Sequence, residues 1–309
     1  MQSRLLLLSF LTLLGSFNAL GTEIFVADIS KTRSGITLTQ MKNITNRVGY
    51  DNQPFFSNKH NGLYYTAMFE NEKTTQTDTL FYDFTSGKTH NVTNTKNISE
   101  YSPTEMISGN SLSMIIVEPD GTQRLWATQL DNQNQLKKQS LINESIKPVG
   151  YHVWGKSNDL ALFVLGEPMM LQYIKNPNQS EGEIIAGDIG RSLRYNQQKD
   201  FFTFSMTNKD KHQVLHQFDA NKVDRIKAVK SLVQLPKDSE YYTWLNSNEI
   251  LSASAQQIYF WRYTADVEQN KNNNNWKLFA DVSEFCTTKV TRLAVNEQES
   301  KIAFVCDEQ

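Results

Sequence analysis

Residues 49–56 read GYDNQPFF, and this stretch opens a group of four short segments with the composition of β-strands. The other three segments cover residues 62–69, 78–84 and 88–93, with turn residues between them. Phe, Tyr and Thr favour strands, whereas Asn, Gly and Ser favour the turns that join them. We therefore interpret the group as a unit of four consecutive short strands.

The same unit returns along the chain at a nearly constant spacing. Pro54, Pro103, Tyr151, Tyr242 and Thr291 mark comparable points, at intervals of 49, 48, 91 and 49 residues, where the third interval spans two copies. Four strands per repeat at this period are typical of the blades of a β-propeller.

The second copy comprises residues 101–104, 112–118, 123–130 and 135–142, and the third 149–154, 159–165, 169–174 and 183–186. The fourth begins at residue 191 and continues at 201–204, 213–218 and 225–233, and the fifth comprises 241–244, 249–253, 257–263 and 276–279.

The two ends of the chain complete a sixth unit. Only two strand-like segments, 290–295 and 301–306, follow the fifth copy, and two more, 23–29 and 35–41, precede the first. Pairing between these half-units would close the ring and remove free sheet edges. We predict an all-β fold, a six-bladed β-propeller of four-stranded blades, closed by N-terminal strands that pair with C-terminal strands in one blade.

The N-terminus has the pattern of a signal peptide. Arg4 precedes the apolar run Leu5–Leu14, and Ala19 and Gly21 follow at the spacing of a small-x-small cleavage site. The run of ten residues is too short to span a bilayer. We predict that residues 1–21 are cleaved off and that residues 22–309 form one soluble, exported domain; an uncleaved anchor is the alternative.

The composition and motifs exclude several function classes. A net charge of −2 and a pI near 6.2 argue against a nucleic-acid partner. The sequence contains no Gly-x-Ser-x-Gly, His-Glu-x-x-His, EF-hand or Walker motif. His212 and His216 lie four apart in a predicted strand, about 13 Å along it, which is too far to share one metal. We assign no catalytic residue, no metal and no cofactor.

Cys286 and Cys306 are the two cysteines of the chain. An exported protein meets an oxidising environment, where a disulfide forms and persists. If residues 289–295 and 300–306 make a hairpin, Cys306 faces a position near residue 289 and Cys286 lies one turn beyond it. The sequence leaves open a disulfide between them or two separate thiols, one of them buried in a strand.

Two blade openings carry a family resemblance. GYDNQPFF at 49–56, and EYSPT at 100–104 followed by DGTQRLW at 120–126, resemble the TolB-like propeller repeat of bacterial periplasmic proteins. The Pro-Asp-Gly turn of that repeat is degenerate here, where Asn58–Gly62 and Ser108–Asn110 replace it, and the later blades match only in spacing.

The resemblance implies a six-bladed propeller in the periplasm of a Gram-negative bacterium that works by binding. Strands begin directly after the predicted signal, so we expect no counterpart of TolB's additional N-terminal domain. Similar propellers also precede the catalytic domain of prolyl-oligopeptidase-type proteins, a domain that we do not expect here.

The first strand of each unit should line the central channel, where propellers commonly carry their function. The candidates by register are Asp51, Asn52, Glu100, Tyr101, Tyr151, His152, Arg191, Ser192, Glu240, Tyr241, Tyr242 and Arg292. Such a set could hold a peptide terminus, a sugar or a cation. Alternatively, it only fills and hydrates a narrow polar channel. Trp154 and Trp244 occupy corresponding positions and are expected to wedge between blades.

These observations favour a monomeric, non-enzymatic propeller that binds a protein, peptide, glycan or other small polar ligand at the mouth of its channel, in the periplasm or outside the cell. The alternative is a hydrolase, lyase or lactonase sited in the channel, with Glu100, His152 and Glu240 as the first residues to test and with or without a metal.

Overall fold

The computed structural model describes residues 21–32, 35–70, 75–264 and 274–307. Residues 1–20 of the predicted signal peptide lie outside these ranges. Within them, the chain forms 24 strands and no helix, and the strands make six antiparallel sheets of four strands each. The predicted six-bladed propeller is therefore confirmed.

In chain order the strands are β1 Thr22–Thr32, β2 Gly35–Asn43, β3 Asp51–Phe56, β4 Gly62–Glu70, β5 Thr75–Asp83, β6 Lys88–Asn91, β7 Ser99–Glu105, β8 Ser111–Val117, β9 Gln123–Leu130, β10 Leu136–Leu141, β11 Val149–Trp154, β12 Leu160–Val164, β13 Met170–Ile174, β14 Glu183–Gly187, β15 Ile189–Asn196, β16 Phe201–Thr207, β17 Gln213–Phe218, β18 Lys230–Gln234, β19 Tyr242–Trp244, β20 Glu249–Ser254, β21 Gln257–Arg262, β22 Lys277–Asp281, β23 Val290–Val295 and β24 Lys301–Asp307. Blades 1 to 5 are β3–β6, β7–β10, β11–β14, β15–β18 and β19–β22, and blade 6 contains β23, β24, β1 and β2.

The closing blade joins the two ends of the described chain. Its strand order is β2-β1-β24-β23, as the sequence predicts. Phe25 of β1 stands opposite Phe304 of β24. Their rings stack with centroids 5.4 Å apart, and both side chains are buried. A ladder of backbone hydrogen bonds and a shared core thus hold the ring shut.

The Gln-Pro and Ser-Pro pairs of the blade openings form β-bulges. The register of β3 and of β7 shifts at this point, and Gln53 and Ser102 have φ of 58° and 56°. Pro54 and Pro103, which lack an N–H, fit a position where the ladder is interrupted. The Ser102 N–H donates to Gln53 Oε1 at 2.7 Å, so the two bulges also join blades 1 and 2.

Apolar side chains fill the spaces between neighbouring blades. Ile24 and Val305 of blade 6 pack with Leu63 and Tyr65 of blade 1 in one buried cluster. A sheet enclosed on both faces reads as a continuous apolar run rather than an alternating one. β12, whose five residues LALFV are all buried, shows this pattern.

The structure joins Cys286 and Cys306 by a disulfide, with their Cα atoms 5.6 Å apart. Cys306 lies in β24 and faces Val290 of β23, close to the position expected from the sequence. Both half-cystines are buried in the apolar cluster that blades 5 and 6 share. The bridge therefore fastens the segment before β23 to the closing blade.

The fourth strand of blade 4 differs from the sequence prediction. Residues 225–233 were expected to form it, but β18 covers only Lys230–Gln234, and the residues from 219 to 229 form turns. The Ala228 N–H donates to the Asp224 carbonyl at 3.1 Å in this segment. The alternating charged and apolar residues of this segment resemble a strand pattern in the sequence, whereas its hydrogen bonds are local.

No helix in the described ranges is long and apolar enough to cross a membrane.

We predict that Phe304→Ala lowers the free energy of unfolding by about 3–5 kcal/mol, because it leaves a cavity in the closing blade. Phe285→Ala is the matched control, since the Phe285 side chain is 44% exposed, and it should cost less than about 1 kcal/mol. Urea denaturation followed by circular dichroism measures both losses. Equal losses in the two variants would contradict the role given to the closing blade.

Candidate functional site

Six innermost strands surround the axis of the propeller. They are β3, β7, β11, β15, β19 and β23, each at one end of its sheet. Innermost strands of most neighbouring blades contact each other, as with β23 beside β3 and β11 beside β15. The channel between them is the candidate site.

A cavity of about 590 Å³ occupies part of this channel and is lined by residues from all six innermost strands. The hairpins that follow these strands also contribute, with Asn58, Met106, Lys156, Gln197, Asn246 and Glu297. The cavity therefore lies towards the ends of the strands. Its size is that of a small-molecule pocket, typically about 300–1,000 Å³.

The structure separates the predicted site residues into two groups. Tyr151, His152, Arg191 and Arg292 line the cavity. The others lie elsewhere, towards the beginnings of the innermost strands or between the blades; they are Asp51, Asn52, Glu100, Tyr101, Ser192, Glu240, Tyr241 and Tyr242.

A layer of tyrosines surrounds Arg292 at the inner end of the cavity. Arg292 Nη2 donates to Tyr151 Oη at 2.9 Å and to Tyr241 Oη at 3.2 Å. The guanidinium carbon lies 5.0 Å and 4.2 Å from the centres of these two rings, within cation–π range. Tyr50 and Tyr101 complete what we call the tyrosine–arginine layer. Burial raises the pKa of Tyr50, and the Arg292 charge opposes that rise.

Arg194 is a cavity residue that the sequence analysis missed. Its Nη1 donates to the Leu193 carbonyl at 2.8 Å and its Nη2 to the Leu293 carbonyl at 3.3 Å. Burial lowers the pKa of Arg194, and the charge of Arg292 acts in the same direction. The register of β15 shifts between Ile189 and Leu193, so alternation counted from Arg191 does not identify Arg194.

Aromatic side chains form much of the cavity wall. Trp154 Nε1 donates to Ser113 Oγ of blade 2 at 2.8 Å, and Trp244 Nε1 donates to Thr203 Oγ1 of blade 4 at 3.2 Å. Both indoles therefore join neighbouring blades, as expected from the sequence, and both also line the cavity. Phe55 contributes to the same wall.

His152 is held between blades 2 and 3. Its Nε2 lies 2.7 Å from Ser113 Oγ, the oxygen that also accepts the Trp154 indole N–H. The side chain is buried, and burial lowers the pKa of His152 to about 3. The imidazole is therefore neutral at physiological pH.

Glu100 lies in a buried acidic pair between blades 1 and 2. Thr95 Oγ1 donates to Glu100 Oε1 at 2.9 Å, and Thr93 Oγ1 donates to Oε2 at 3.3 Å. Asp78 lies beside it and shares the Thr95 hydroxyl at 3.4 Å. Burial, reinforced by the Asp78 charge, raises the pKa of Glu100 to about 8. The carboxyl is therefore mostly protonated at neutral pH.

Asp51 occupies the equivalent place between blades 6 and 1. Thr22 Oγ1 donates to the Asp51 carbonyl and Thr77 Oγ1 to the Glu100 carbonyl, both at 2.8 Å. Asp51 additionally pairs with Arg47, whose Nη2 lies 2.8 Å from Oδ1. The matching segments 43–47 and 91–95 read NITNR and NVTNT, so a threonine stands where blade 6 supplies the arginine.

The remaining candidates make structural contacts between strands. Ser192 Oγ lies 3.5 Å from the Tyr242 carbonyl, which joins blades 4 and 5, and Tyr242 is fully buried. Glu240 and Arg191 form a partly exposed ion pair at 3.7 Å. The Asn52 side chain caps the neighbouring Gln53 N–H at 2.8 Å.

The described residues contain no group of three or more His, Cys, Asp or Glu side chains placed to hold a metal ion. Charge in the cavity comes mainly from arginine and lysine, and its uncharged donors include tyrosine, indole, amide and hydroxyl groups. The arrangement can therefore bind oxygen-bearing ligands through hydrogen bonds and positive charge, and stack apolar parts against the aromatic wall.

Comparisons with solved structures agree with this architecture. A chain from Agrobacterium tumefaciens provisionally assigned as TolB has a TM-score of 0.68 at 8% identity, over 94% of this chain and 99% of that one. A gluconolactonase from Xanthomonas campestris has a TM-score of 0.57 at 7% identity, over 85% and 88%. An oligogalacturonate lyase in complex with manganese has 0.54 at 10% identity, over 87% and 80%.

These identities establish a common fold and nothing further. The sequence matches no protein-family model and no curated protein. The fold and the site together define a six-bladed propeller, similar in fold to the chain assigned as TolB, with a cavity in its central channel.

We predict that Glu100 lowers the free energy of unfolding as pH rises from 4.5 to 8. In that window the folded protein retains the Glu100 proton that the unfolded chain, with an ordinary pKa of 4.5, has lost. Between pH 5 and pH 8, Glu100→Gln should remove up to about 3 kcal/mol of the fall in the free energy of unfolding that Glu100 causes. Urea denaturation at both pH values measures it.

Glu297→Gln, at an exposed hairpin position, is the matched control and should leave the pH dependence unchanged. Identical pH dependence in the wild type and the Glu100→Gln variant would show that Glu100 is ionised in the folded protein.

Proposed function

We propose that this chain is an exported, non-enzymatic propeller that binds a protein segment or a small polar ligand in its central cavity. The observation that carries the proposal is the cavity itself, because six strands converge on it and bring aromatic and cationic side chains together. Concave sites with an apolar wall and a few convergent polar groups are typical of ligand pockets.

The positions of the acids and the histidine support binding over catalysis. Glu100 is fully buried between blades 1 and 2 and bonded to two threonines. His152 is bonded to Ser113, and Glu240 lies with Arg191. Each has its own partner, whereas acid–base catalysis needs such groups within reach of one reacting atom.

We further propose that the protein acts as a monomer in the periplasm or outside the cell. The apolar run Leu5–Leu14 after Arg4 supports export. The disulfide between Cys286 and Cys306 supports it independently, because such bridges persist in oxidising compartments.

A channel-sited lyase or lactonase is the second candidate function. His152 favours it, since this imidazole is the one predicted acid–base residue of the alternative that lines the cavity. Two proteins of similar fold are a gluconolactonase and an oligogalacturonate lyase. A lactone or an oligogalacturonide is accordingly the substrate class to try first.

We predict that at least one compound from a panel of tripeptides and sugar acids raises the melting temperature of the wild-type protein, because a ligand of the folded state stabilises it. Trp244→Ala should weaken that ligand by about tenfold, since the indole is part of the wall. Trp276→Ala, whose indole bonds to the Gln234 carbonyl outside the cavity, should leave the affinity unchanged.

Calorimetry on the three proteins measures the affinities. A panel without a single binder, or ligands that bind the Trp244→Ala variant as tightly as the wild type, would contradict cavity binding.

The enzyme alternative predicts turnover of a lactone or an oligogalacturonide, measured by product formation in the mass spectrometer. His152→Ala should then reduce kcat by at least about a hundredfold, whereas His212→Ala, at an exposed turn, should not. Ligand binding without any product in the wild type would reject this alternative and support the binding function.

A further inference from the structure

Two arginine side chains meet in the cavity. Arg194 comes from β15 and Arg292 from β23, and both line the cavity wall. Arg194 reaches across to the backbone of β23, where its Nη2 donates to the Leu293 carbonyl at 3.3 Å. Arg292 precedes Leu293 in β23, and the Arg292 charge acts on Arg194, so the two arginines occupy the same part of the cavity.

Each guanidinium keeps hydrogen-bond donors for a ligand. An arginine has five N–H donors. Arg292 directs its two Nη2 donors to Tyr151 and Tyr241, and Arg194 uses two donors on the Leu193 and Leu293 carbonyls. Among the residues that the structure describes, none accepts a hydrogen bond from the remaining three N–H donors of Arg194 or of Arg292.

The other cations of the cavity wall have partners. Lys156 Nζ lies 2.6 Å from Asp200 Oδ2, and Arg191 pairs with Glu240 at 3.7 Å. Lys59 Nζ donates to the Met106 carbonyl at 2.9 Å. Arg194 and Arg292 differ from Lys156 and Arg191, because neither arginine forms an ion pair with a carboxylate in the described part of the chain. Lys59, which also bonds only to carbonyls, belongs to the hairpin that follows β3.

The acids of the wall lie away from the two arginines, at the hairpin end. Glu105 is the last residue of β7, and its Oε2 accepts the Asn58 N–H at 2.9 Å. Glu297 and Glu299 belong to the hairpin that follows β23. The inner end of the cavity is therefore positive, and its rim is of mixed charge.

Two partly buried positive charges without a counter-ion raise the free energy of the folded protein, because both lose hydration and repel one another. The lowered pKa of Arg194 reflects that combination of burial and proximity to Arg292. The Leu193 and Leu293 carbonyls and the tyrosine rings offset part of this cost. A bound anion would offset the remainder.

We infer that Arg194 and Arg292 form an oxyanion site at the inner end of the cavity, which binds a carboxylate or phosphate group of the ligand. This inference rests on the proposed function, since it takes the cavity as the ligand site. Guanidinium groups bind carboxylates and phosphates through paired N–H donors in a fixed plane. The Tyr151 hydroxyl, which accepts from Arg292, has its own O–H as one more donor beside them.

The aromatic wall of the cavity indicates the chemistry of the part of the ligand that does not contact the two arginines. Trp154, Trp244 and Phe55 surround the path from the rim to the two arginines. A compact molecule with an anionic head and an aromatic or apolar body therefore fits the cavity best. A peptide that ends in an apolar residue with a free carboxylate has this form, as does an aryl phosphate.

Isothermal titration calorimetry with four defined probes tests the site. The probes are N-acetyl-phenylalanine, its neutral amide, phenyl phosphate and inorganic phosphate. We expect one or both aromatic anions to bind at least tenfold more tightly than the amide, with an affinity that falls as salt is added. Preference for the carboxylate or for the phosphate identifies the source of the oxyanion.

Arg194→Gln and Arg292→Gln should each weaken the anionic probe at least tenfold. Arg194→Gln is the decisive variant if Arg292→Gln fails to fold, because Arg292 also orders the tyrosine–arginine layer. Arg262→Gln removes an equal charge from an exposed pair with Glu249 in blade 5, and it should bind like the wild type.

Equal binding of the acid and its amide, or unchanged affinity in the Arg194→Gln variant, would overturn the oxyanion site. If Trp244→Ala still weakens the binding of those probes, the proposal that the cavity binds a ligand remains supported. If none of the four probes binds, the oxyanion site is rejected, and the wider panel of tripeptides and sugar acids decides the cavity function separately.

Discussion

Antiparallel pairing between β1 and β24 closes the ring, and every innermost strand depends on that closure for its place around the channel. The pair joins residues that lie far apart in the sequence, with Phe25 stacked on Phe304. Such long-range pairing carries a large loop-closure entropy. Apolar clusters between the blades and the Cys286–Cys306 bridge beside β24 offset it. Because the blades are repeats, six similar interfaces support one closed structure.

Repetition also explains how one scaffold acquires different local chemistry. Asp51 and Glu100 occupy equivalent buried positions and receive equivalent threonine hydrogen bonds on their backbone carbonyls. Arg47 neutralises Asp51, whereas Thr95 at the matching position leaves Glu100 beside Asp78. The change from Arg47 to Thr95, together with the change from Asp51 to Glu100, therefore separates an ion pair from a proton-binding acid pair. The blades are therefore equivalent in their backbone hydrogen bonds, whereas the charged side chains at equivalent positions differ from blade to blade.

The repeat spacing predicts part of the cavity lining, and the bulges account for much of the remainder. Tyr151, His152 and Arg292 follow from the repeat spacing because they lie on innermost strands. Arg194 does not, since a register shift in β15 changes which side chains face the channel. The buried acid Glu100 was grouped with channel residues by register, yet its carboxyl lies between blades with Thr93 and Thr95. Alternation is a reliable guide only where the ladder is regular.

The amino-acid sequence by itself determined the number of blades, four strands in each and the closure by the two chain ends, because strand propensity and turn residues are local and repeat about every 48 positions. It also identified the residue types available to the channel. The tertiary structure alone decided which end of the channel holds the cavity and which arginines meet there. Those outcomes depend on bulges and on contacts between strands from different blades, and neither is encoded within a single repeat.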